Sequence, residues 1–134
     1  MKMAVTGKGG VGKTTIAATL ARLYADEGKT VYEADADPDA NLGLALGFSE
    51  EELAEIIPVS KMRKLVEERT GADKSNTFYK INPKVDDIPE RYSKFRNGVR
   101  LLMIRLSITF SPTVRCLINC FKILFIVQAQ PSFA

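Results

Sequence analysis

Residues 7–15 read Gly7-Lys8-Gly9-Gly10-Val11-Gly12-Lys13-Thr14-Thr15, and this stretch decides the fold of the chain. It fits the pattern G-x-x-x-x-G-K-[ST], in which successive backbone N–H groups surround a chain of phosphates. Glycine is needed in such a loop because the backbone curls tightly and approaches the ligand without a Cβ in the way. The pattern therefore predicts a phosphate-binding loop at residues 7–15, called the phosphate loop below.

The sequence on both sides of the phosphate loop supports this prediction. Residues 1–6 are mainly apolar, as expected of a buried strand, and apolar side chains recur at helical spacing from Ile16 to Tyr24 before Gly28 stops the helix. This order predicts an α/β fold of the P-loop NTPase type, with a parallel sheet and flanking helices. Lys13 is expected to reach the β- and γ-phosphates, and the Thr14 hydroxyl to ligate Mg²⁺. The alternative is a glycine-rich turn without a ligand.

A second informative stretch is Thr30-Val31-Tyr32-Glu33-Ala34-Asp35-Ala36-Asp37-Pro38-Asp39-Ala40-Asn41-Leu42. Residues 30–34 are predicted to form the next parallel strand, and ligands of open α/β sheets lie beyond the carboxyl ends of such strands. A functional role is favoured for Asp37 and Asn41, whereas Asp39 is interpreted as part of an acidic turn. The role of Asp35 stays open, and the sequence offers no reason for Glu33 in an apolar strand.

Together these two stretches resemble the deviant Walker A ATPases, which include the ParA/MinD partitioning proteins and the nitrogenase iron protein. The resemblance implies ATP and Mg²⁺ as cofactors and a homodimer as the acting form. It implies a signature lysine at Lys8 that reaches a nucleotide across the dimer interface, and catalytic roles for Lys13 and Asp37. Thr14 and Asp37 are the implied metal-binding residues. The implied nucleotide-binding residues are Gly9, Gly10, Val11, Gly12, Lys13, Thr14, Thr15 and Asn41.

Residues 82–92 and 98–103 are similar to the middle region of one subgroup, the CooC-type accessory ATPases of carbon monoxide dehydrogenase. That resemblance implies carbon monoxide dehydrogenase as the partner and ATP-driven nickel insertion as the function. It implies no nucleic-acid or membrane partner. A ParA/MinD-type partitioning ATPase is the alternative, but it needs a C-terminal amphipathic helix or a basic patch, which the C-terminal region does not offer.

The composition indicates an ordinary globular chain. It has 134 residues, of which 46% are hydrophobic and 26% charged, and its net charge of +3 does not by itself indicate a nucleic-acid partner. Two cysteines and no recognisable signal peptide predict a cytoplasmic protein.

The C-terminal region differs sharply from the rest. All 16 acidic residues lie at or before Glu90, and residues 105–134 are rich in apolar side chains without a clean period. The family resemblance ends near residue 104, and the C-x-C metal motif, the switch II carboxylate and the adenine region of the family are not recognisable. We therefore predict the N-terminal part of a P-loop ATPase domain at 1–104 and an unrelated or frame-shifted tail at 105–134, with a divergent tail as the alternative. The truncated chain is expected to be impaired in hydrolysis, or to be a non-hydrolysing nucleotide-site fragment.

Two further features concern possible metal ligands and the scaffold. Cys116 and Cys120 are interpreted as incidental apolar residues rather than as thiols that a dimer pools, since the chain contains no histidine. Ser49 and Glu52 predict a capping box for a helix that runs to about residue 57. A second helix is predicted at 61–70, and strands at 77–81 and 99–104.

Overall fold

The computed structural model describes residues 3–37, 39, 41–71, 80, 83–105 and the backbone of 125–129. The strands are β1 (Met3–Thr6), β2 (Val31–Asp35), β3 (Lys94–Arg96), β4 (Val99–Met103) and β5 (Phe125–Ala129). The helices are α1 (Lys13–Asp26), α2 (Leu42–Leu46), α3 (Glu50–Ala54), α4 (Arg63–Thr70) and α5 (Ile88–Tyr92), and a 3₁₀ turn at Val59–Lys61 precedes α4.

The described strands form one sheet in the order β1-β5-β2-β4-β3. β1, β5, β2 and β4 run parallel, and only β3 pairs antiparallel, with β4. The carboxyl ends of the four parallel strands therefore meet at one edge of the sheet. The α/β fold with a parallel sheet and flanking helices is confirmed.

The two faces of β2 carry different kinds of side chain, because successive residues of a strand point to opposite faces. Tyr32 and Ala34 belong to a cluster with Val66 and Ile88, from the helices that cover one face. On the other face Val31 packs in a cluster with the side chains of α1. The sheet thus has a core on each side of β2, as a parallel sheet requires.

Helix α1 contacts the sheet through its small residues. Ala17, Ala18 and Ala21 are buried, whereas Ile16 and Leu23 are 51% and 55% exposed. The apolar spacing correctly predicts the helix, but the buried face is the alanine face because small side chains let the helix axis approach the sheet closely.

The β3–β4 hairpin turns on Asn97-Gly98. Both residues have positive φ, at 48° and 81°, as a two-residue type I′ turn requires. A Cβ at Gly98 would lie 2.8 Å from the Cβ of Ala25, so the hairpin packs directly against the end of α1. On its other side Arg96 donates two hydrogen bonds to the carboxylate of Glu52, which connects the hairpin to α3.

The predicted scaffold helices are present with shorter bounds. The capping box of Ser49 and Glu52 is confirmed, but α3 ends at Ala54. Pro58 restricts the residue before it to extended backbone, so a helix that runs to 57 is disfavoured. α4 begins two residues later than predicted, after the 3₁₀ turn, and ends at Thr70, followed by Gly71 as the C-cap with φ 68°. The strand predicted at 77–81 lies outside the described residues, except for Lys80.

One part of the predicted tail lies inside the sheet. β5, residues 125–129, pairs with β1 on one side and with β2 on the other. The two cysteines, Cys116 and Cys120, lie outside the described residues.

Candidate functional site

The phosphate loop connects the end of β1 to the start of α1. Gly10 and Gly12 adopt φ of 78° and 88°, a left-handed conformation that side-chain-bearing residues rarely take. Gly12 is also the N-cap of α1, and its carbonyl accepts the first helical bond, from the Ile16 N–H at 3.0 Å. Glycine has no side chain to cap the helix, and the positive end of the helix dipole at this point favours an anion.

Lys13 is folded back across the phosphate loop. It is the first residue of α1 and only 6% exposed, and its Nζ donates to the Lys8 carbonyl at 3.1 Å. A cation is therefore held inside the curl of the loop. The residues before it, Gly9 to Gly12, are exposed, as is the side chain of Lys8. Thr14 is half-buried and Thr15 exposed at the beginning of α1.

Asp37 and Asn41 lie on the loop that follows β2, which spans residues 36–41 and is called the acidic loop below. Asp37 is 5% exposed, and its Oδ1 accepts the Asp39 N–H at 3.0 Å. Asn41 is exposed and is the N-cap of α2, without a side-chain capping bond.

The phosphate loop and the acidic loop stand at the same edge of the sheet, since β1 and β2 are parallel. β5 lies between these strands, so they are separated by two strand spacings, about 10 Å. Carboxyl edges of parallel strands are where ligands of such sheets bind. The structure thus brings the predicted residues of both stretches to one edge.

Asp35 holds the acidic loop through two hydrogen bonds to its carboxylate. Its carboxylate is fully buried and accepts the Asp37 N–H on Oδ1 and the Leu42 N–H on Oδ2, each at 3.1 Å. Burial raises the pKa of Asp35 to about 6, and the two backbone N–H groups oppose that rise. The sequence alone does not assign a role to Asp35. An aspartate two residues before a turn amide has the spacing of an Asx turn, but Asp35 and Asp37 share this spacing, so it does not single out Asp35 in the sequence.

Glu33 is fully buried on the same face of β2, between the sheet and α1. Neither carboxylate oxygen has a hydrogen-bond partner in the described structure. Burial, with a smaller contribution from the negative charge of Asp35, raises the pKa of Glu33 to about 8, and Arg22 opposes this. Glu33 is therefore largely protonated at neutral pH.

Comparison with known families identifies this arrangement. The sequence profile described as the CobQ/CobB/MinD/ParA nucleotide binding domain matches residues 2–127. The chain belongs to this family. The match includes the phosphate loop, the acidic loop and β2, and it extends to Val127 within β5.

Individual relatives of this nucleotide-binding domain agree with the family. The chain is 52% identical over 105 residues to the carbon monoxide dehydrogenase accessory protein CooC of Rhodospirillum rubrum, a match of 78% of this chain and 40% of that protein. It is 48% identical over 107 residues to an uncharacterized ATP-binding protein of Methanocaldococcus jannaschii, again with 78% and 40% covered. The chain thus spans about two-fifths of the length of these relatives.

The donor atoms at the edge suit a hard cation. Mg²⁺ prefers oxygen ligands and usually keeps waters and substrate phosphates in its shell, so few protein ligands are needed. A hydroxyl at the start of α1 (Thr14) and a buried carboxylate after β2 (Asp37) are of the right chemical type. In the part of the chain that the structure describes, no group of three or more His, Cys, Asp or Glu side chains could hold a metal ion. In that same part, no helix of the nucleotide-binding domain is both long and apolar enough to cross a membrane.

Proposed function

We propose that this chain binds ATP with Mg²⁺ as the nucleotide-binding part of an accessory protein of carbon monoxide dehydrogenase. One observation carries the proposal. A buried lysine in the phosphate loop and a buried aspartate in the acidic loop lie at the same edge of a sheet whose family binds nucleotides.

In this proposal each group has a distinct task. The amides of Gly9, Gly10, Val11 and Gly12 and of the first turn of α1 cradle the phosphates. Lys13 neutralises the β- and γ-phosphates, and the Thr14 hydroxyl binds Mg²⁺. Asp37 orients the attacking water and its proton, with Asn41 as the polar residue that senses the phosphate.

Lys8 is proposed to act across a homodimer. Its backbone and side chain serve separate purposes: the carbonyl binds Lys13 within its own subunit, while the exposed side chain is available to a nucleotide of the partner subunit. This role of Lys8 follows the mechanism of the deviant Walker A ATPases, the group that the sequence resembles.

The client and cargo are proposed from the similarity to the accessory protein of Rhodospirillum rubrum. We propose nickel insertion into carbon monoxide dehydrogenase, in the cytoplasm, with nickel as cargo. A partitioning ATPase of the ParA/MinD type is the alternative. The 52% identity to the accessory protein favours nickel insertion over partitioning.

Residues 1–134 alone are proposed to hydrolyse ATP poorly. The strand beside β1 that ends at this edge is β5, and its register places Gln128 opposite Asp35. No Asp or Glu follows Glu90, so β5 cannot supply a carboxylate to the Mg²⁺ shell or to the γ-phosphate. A non-hydrolysing nucleotide-site fragment is therefore the limiting case of the same proposal.

Asp37→Asn is expected to leave Mg²⁺–ATP affinity within about threefold and to reduce turnover by about a hundredfold or more. The amide keeps an oxygen for the Asp39 N–H but removes the charge that orients water. Turnover is measured in a chimera that joins residues 1–104 of this chain to the C-terminal part of the Rhodospirillum rubrum relative.

The matched control is Asp39→Asn, which changes a neighbouring carboxylate of the same loop. Turnover of this variant is expected to stay within about threefold of the unsubstituted chimera, because Asp39 contributes its backbone N–H to the loop. Equal turnover in Asp37→Asn and the unsubstituted chimera, or equal losses in the two variants, contradicts the role of Asp37.

A further inference from the structure

The acidic loop is held at both of its ends by one side chain. Asp35 Oδ1 accepts the Asp37 N–H near the start of the loop, and Oδ2 accepts the Leu42 N–H just after its end, each at 3.1 Å. The two oxygens of a single carboxylate therefore bind backbone N–H groups near both ends of the acidic loop.

The backbone of Asp35 is fixed as well. Its carbonyl accepts the Ile104 N–H at 2.9 Å and the Arg105 N–H at 3.3 Å, where the chain leaves β4. The residue is fully buried at the end of a central strand. The anchor of the acidic loop is consequently a rigid point of the sheet, and its two bonds are to an ionised group, which makes them stronger than neutral ones.

The same geometry excludes direct contact of Asp35 with a ligand. Both of its oxygens are engaged by backbone amides, and no part of the side chain reaches the surface. Asp37, two residues further along, has left the strand, and it is held by a bond that Asp35 makes to its N–H group.

We propose that Asp35 is a positioning residue, whose carboxylate fixes the Asp37 backbone and the start of α2 so that Asp37 and Asn41 face the phosphate loop. The proposal rests on the proposed function for the task of Asp37. The hydrogen bonds from the Asp37 and Leu42 N–H groups to the Asp35 carboxylate are called the clamp below. The clamp is independent of any nucleotide, so it and the task of Asp37 are tested separately.

The clamp is tested by amide hydrogen exchange on the full 134-residue chain without nucleotide. In Asp35→Ala the amides of Asp37 and Leu42 are expected to exchange about tenfold faster or more, because they lose their acceptor. Amides of the β2–β4 ladder, such as those of Leu101 and Leu102, are expected to keep their rates. Asp35→Asn retains one acceptor oxygen and is expected to protect one of the two amides.

Loss of protection throughout the ladder in both variants shows a merely structural residue and overturns the proposal, as do unchanged rates at Asp37 and Leu42. If Asp35→Ala does not fold, Asp35→Asn carries the same comparison, and equal exchange of both amides with the wild type overturns the proposal.

The effect on the site is measured in the chimera described above. Asp35→Asn is expected to lower kcat about tenfold or more and to leave KM for ATP within about threefold, since the phosphate loop is untouched. A rise in KM with unchanged kcat overturns the positioning role. If the unsubstituted chimera has no ATPase activity, the proposed catalytic task of Asp37 fails, while the exchange result still decides the clamp.

Discussion

The free energy of unfolding of the wild-type chain is expected to fall by roughly 2 kcal/mol between pH 6 and pH 8, and Glu33→Gln is expected to remove that fall. The pKa of Glu33 rises from an ordinary 4.5 to about 8 on folding. The folded state thus holds a proton that the unfolded state has released. Stability from this group is complete below about pH 4.5 and is lost as the pH rises through 8.

The charged groups that act on Glu33 are known from the described residues. Burial is the main cause of the raised pKa, Asp35 on the same strand adds to it, and Arg22 of α1 opposes it. Asp35, whose pKa is raised to about 6, loses most of its own contribution below pH 6. Between pH 6 and pH 8 the slope therefore belongs mainly to Glu33.

The measurement is chemical denaturation at pH 6, 7 and 8. Glu33→Gln is expected to match the wild type near pH 6 within about 1 kcal/mol and to exceed it at pH 8, because the amide is an uncharged group of the same shape. Glu27→Gln is the control, since Glu27 is exposed, and it should leave the wild-type slope unchanged. Parallel pH curves for wild type and Glu33→Gln contradict the buried, protonated state.

Lys13→Ala is expected to weaken Mg²⁺–ATP binding by about a hundredfold or more. Two charge-assisted bonds to phosphate oxygens contribute about 1.5–3 kcal/mol each, and each 1.4 kcal/mol is about tenfold in affinity. The cation already lies inside the loop, bonded to the Lys8 carbonyl, so little reorganisation is needed on binding.

Lys8→Ala is the matched control for this second prediction. It removes a lysine from the same loop but keeps the carbonyl that Lys13 contacts. At concentrations where the chain is monomeric, its ATP affinity is expected to stay within about threefold of the wild type. Equal losses in Lys8→Ala and Lys13→Ala indicate a non-specific effect of loop charge and contradict the assigned role of Lys13. Affinities are measured by titration with a fluorescent ATP analogue.

Features with a local physical signature were predicted correctly from the sequence. Gly12 precedes α1 and adopts a left-handed backbone conformation that glycine takes more readily than other residues. The Ser49 side chain accepts a hydrogen bond from the Glu52 N–H group, three residues further along the chain. The strand 30–34 is found as β2, shifted by one residue at each end, because its apolar run is bounded by Gly28-Lys29 and the acidic loop.

Features that depend on distant parts of the chain were not predictable. The place of β5 between β1 and β2 follows from pairings across more than 90 residues, for which the local pattern of residues 125–129 holds no information. The burial of Glu33 likewise depends on α1 and on neighbouring strands that cover it together. Asp35 at the end of β2 and Asp39 in the acidic loop are the same residue type, and only the positions of the Asp37 and Leu42 amides show that Asp35 holds the loop.

The central claim is that the phosphate loop and the acidic loop form one nucleotide site. It is tested most directly by mapping backbone amide chemical shifts of the 134-residue chain during titration with Mg²⁺–ATP. We expect saturable shifts at Gly9 to Thr15 together with shifts at Asp37 and Asn41, and none of comparable size along α4. Shifts confined to α4 or the β3–β4 hairpin, or no saturable shifts at millimolar nucleotide, contradict it.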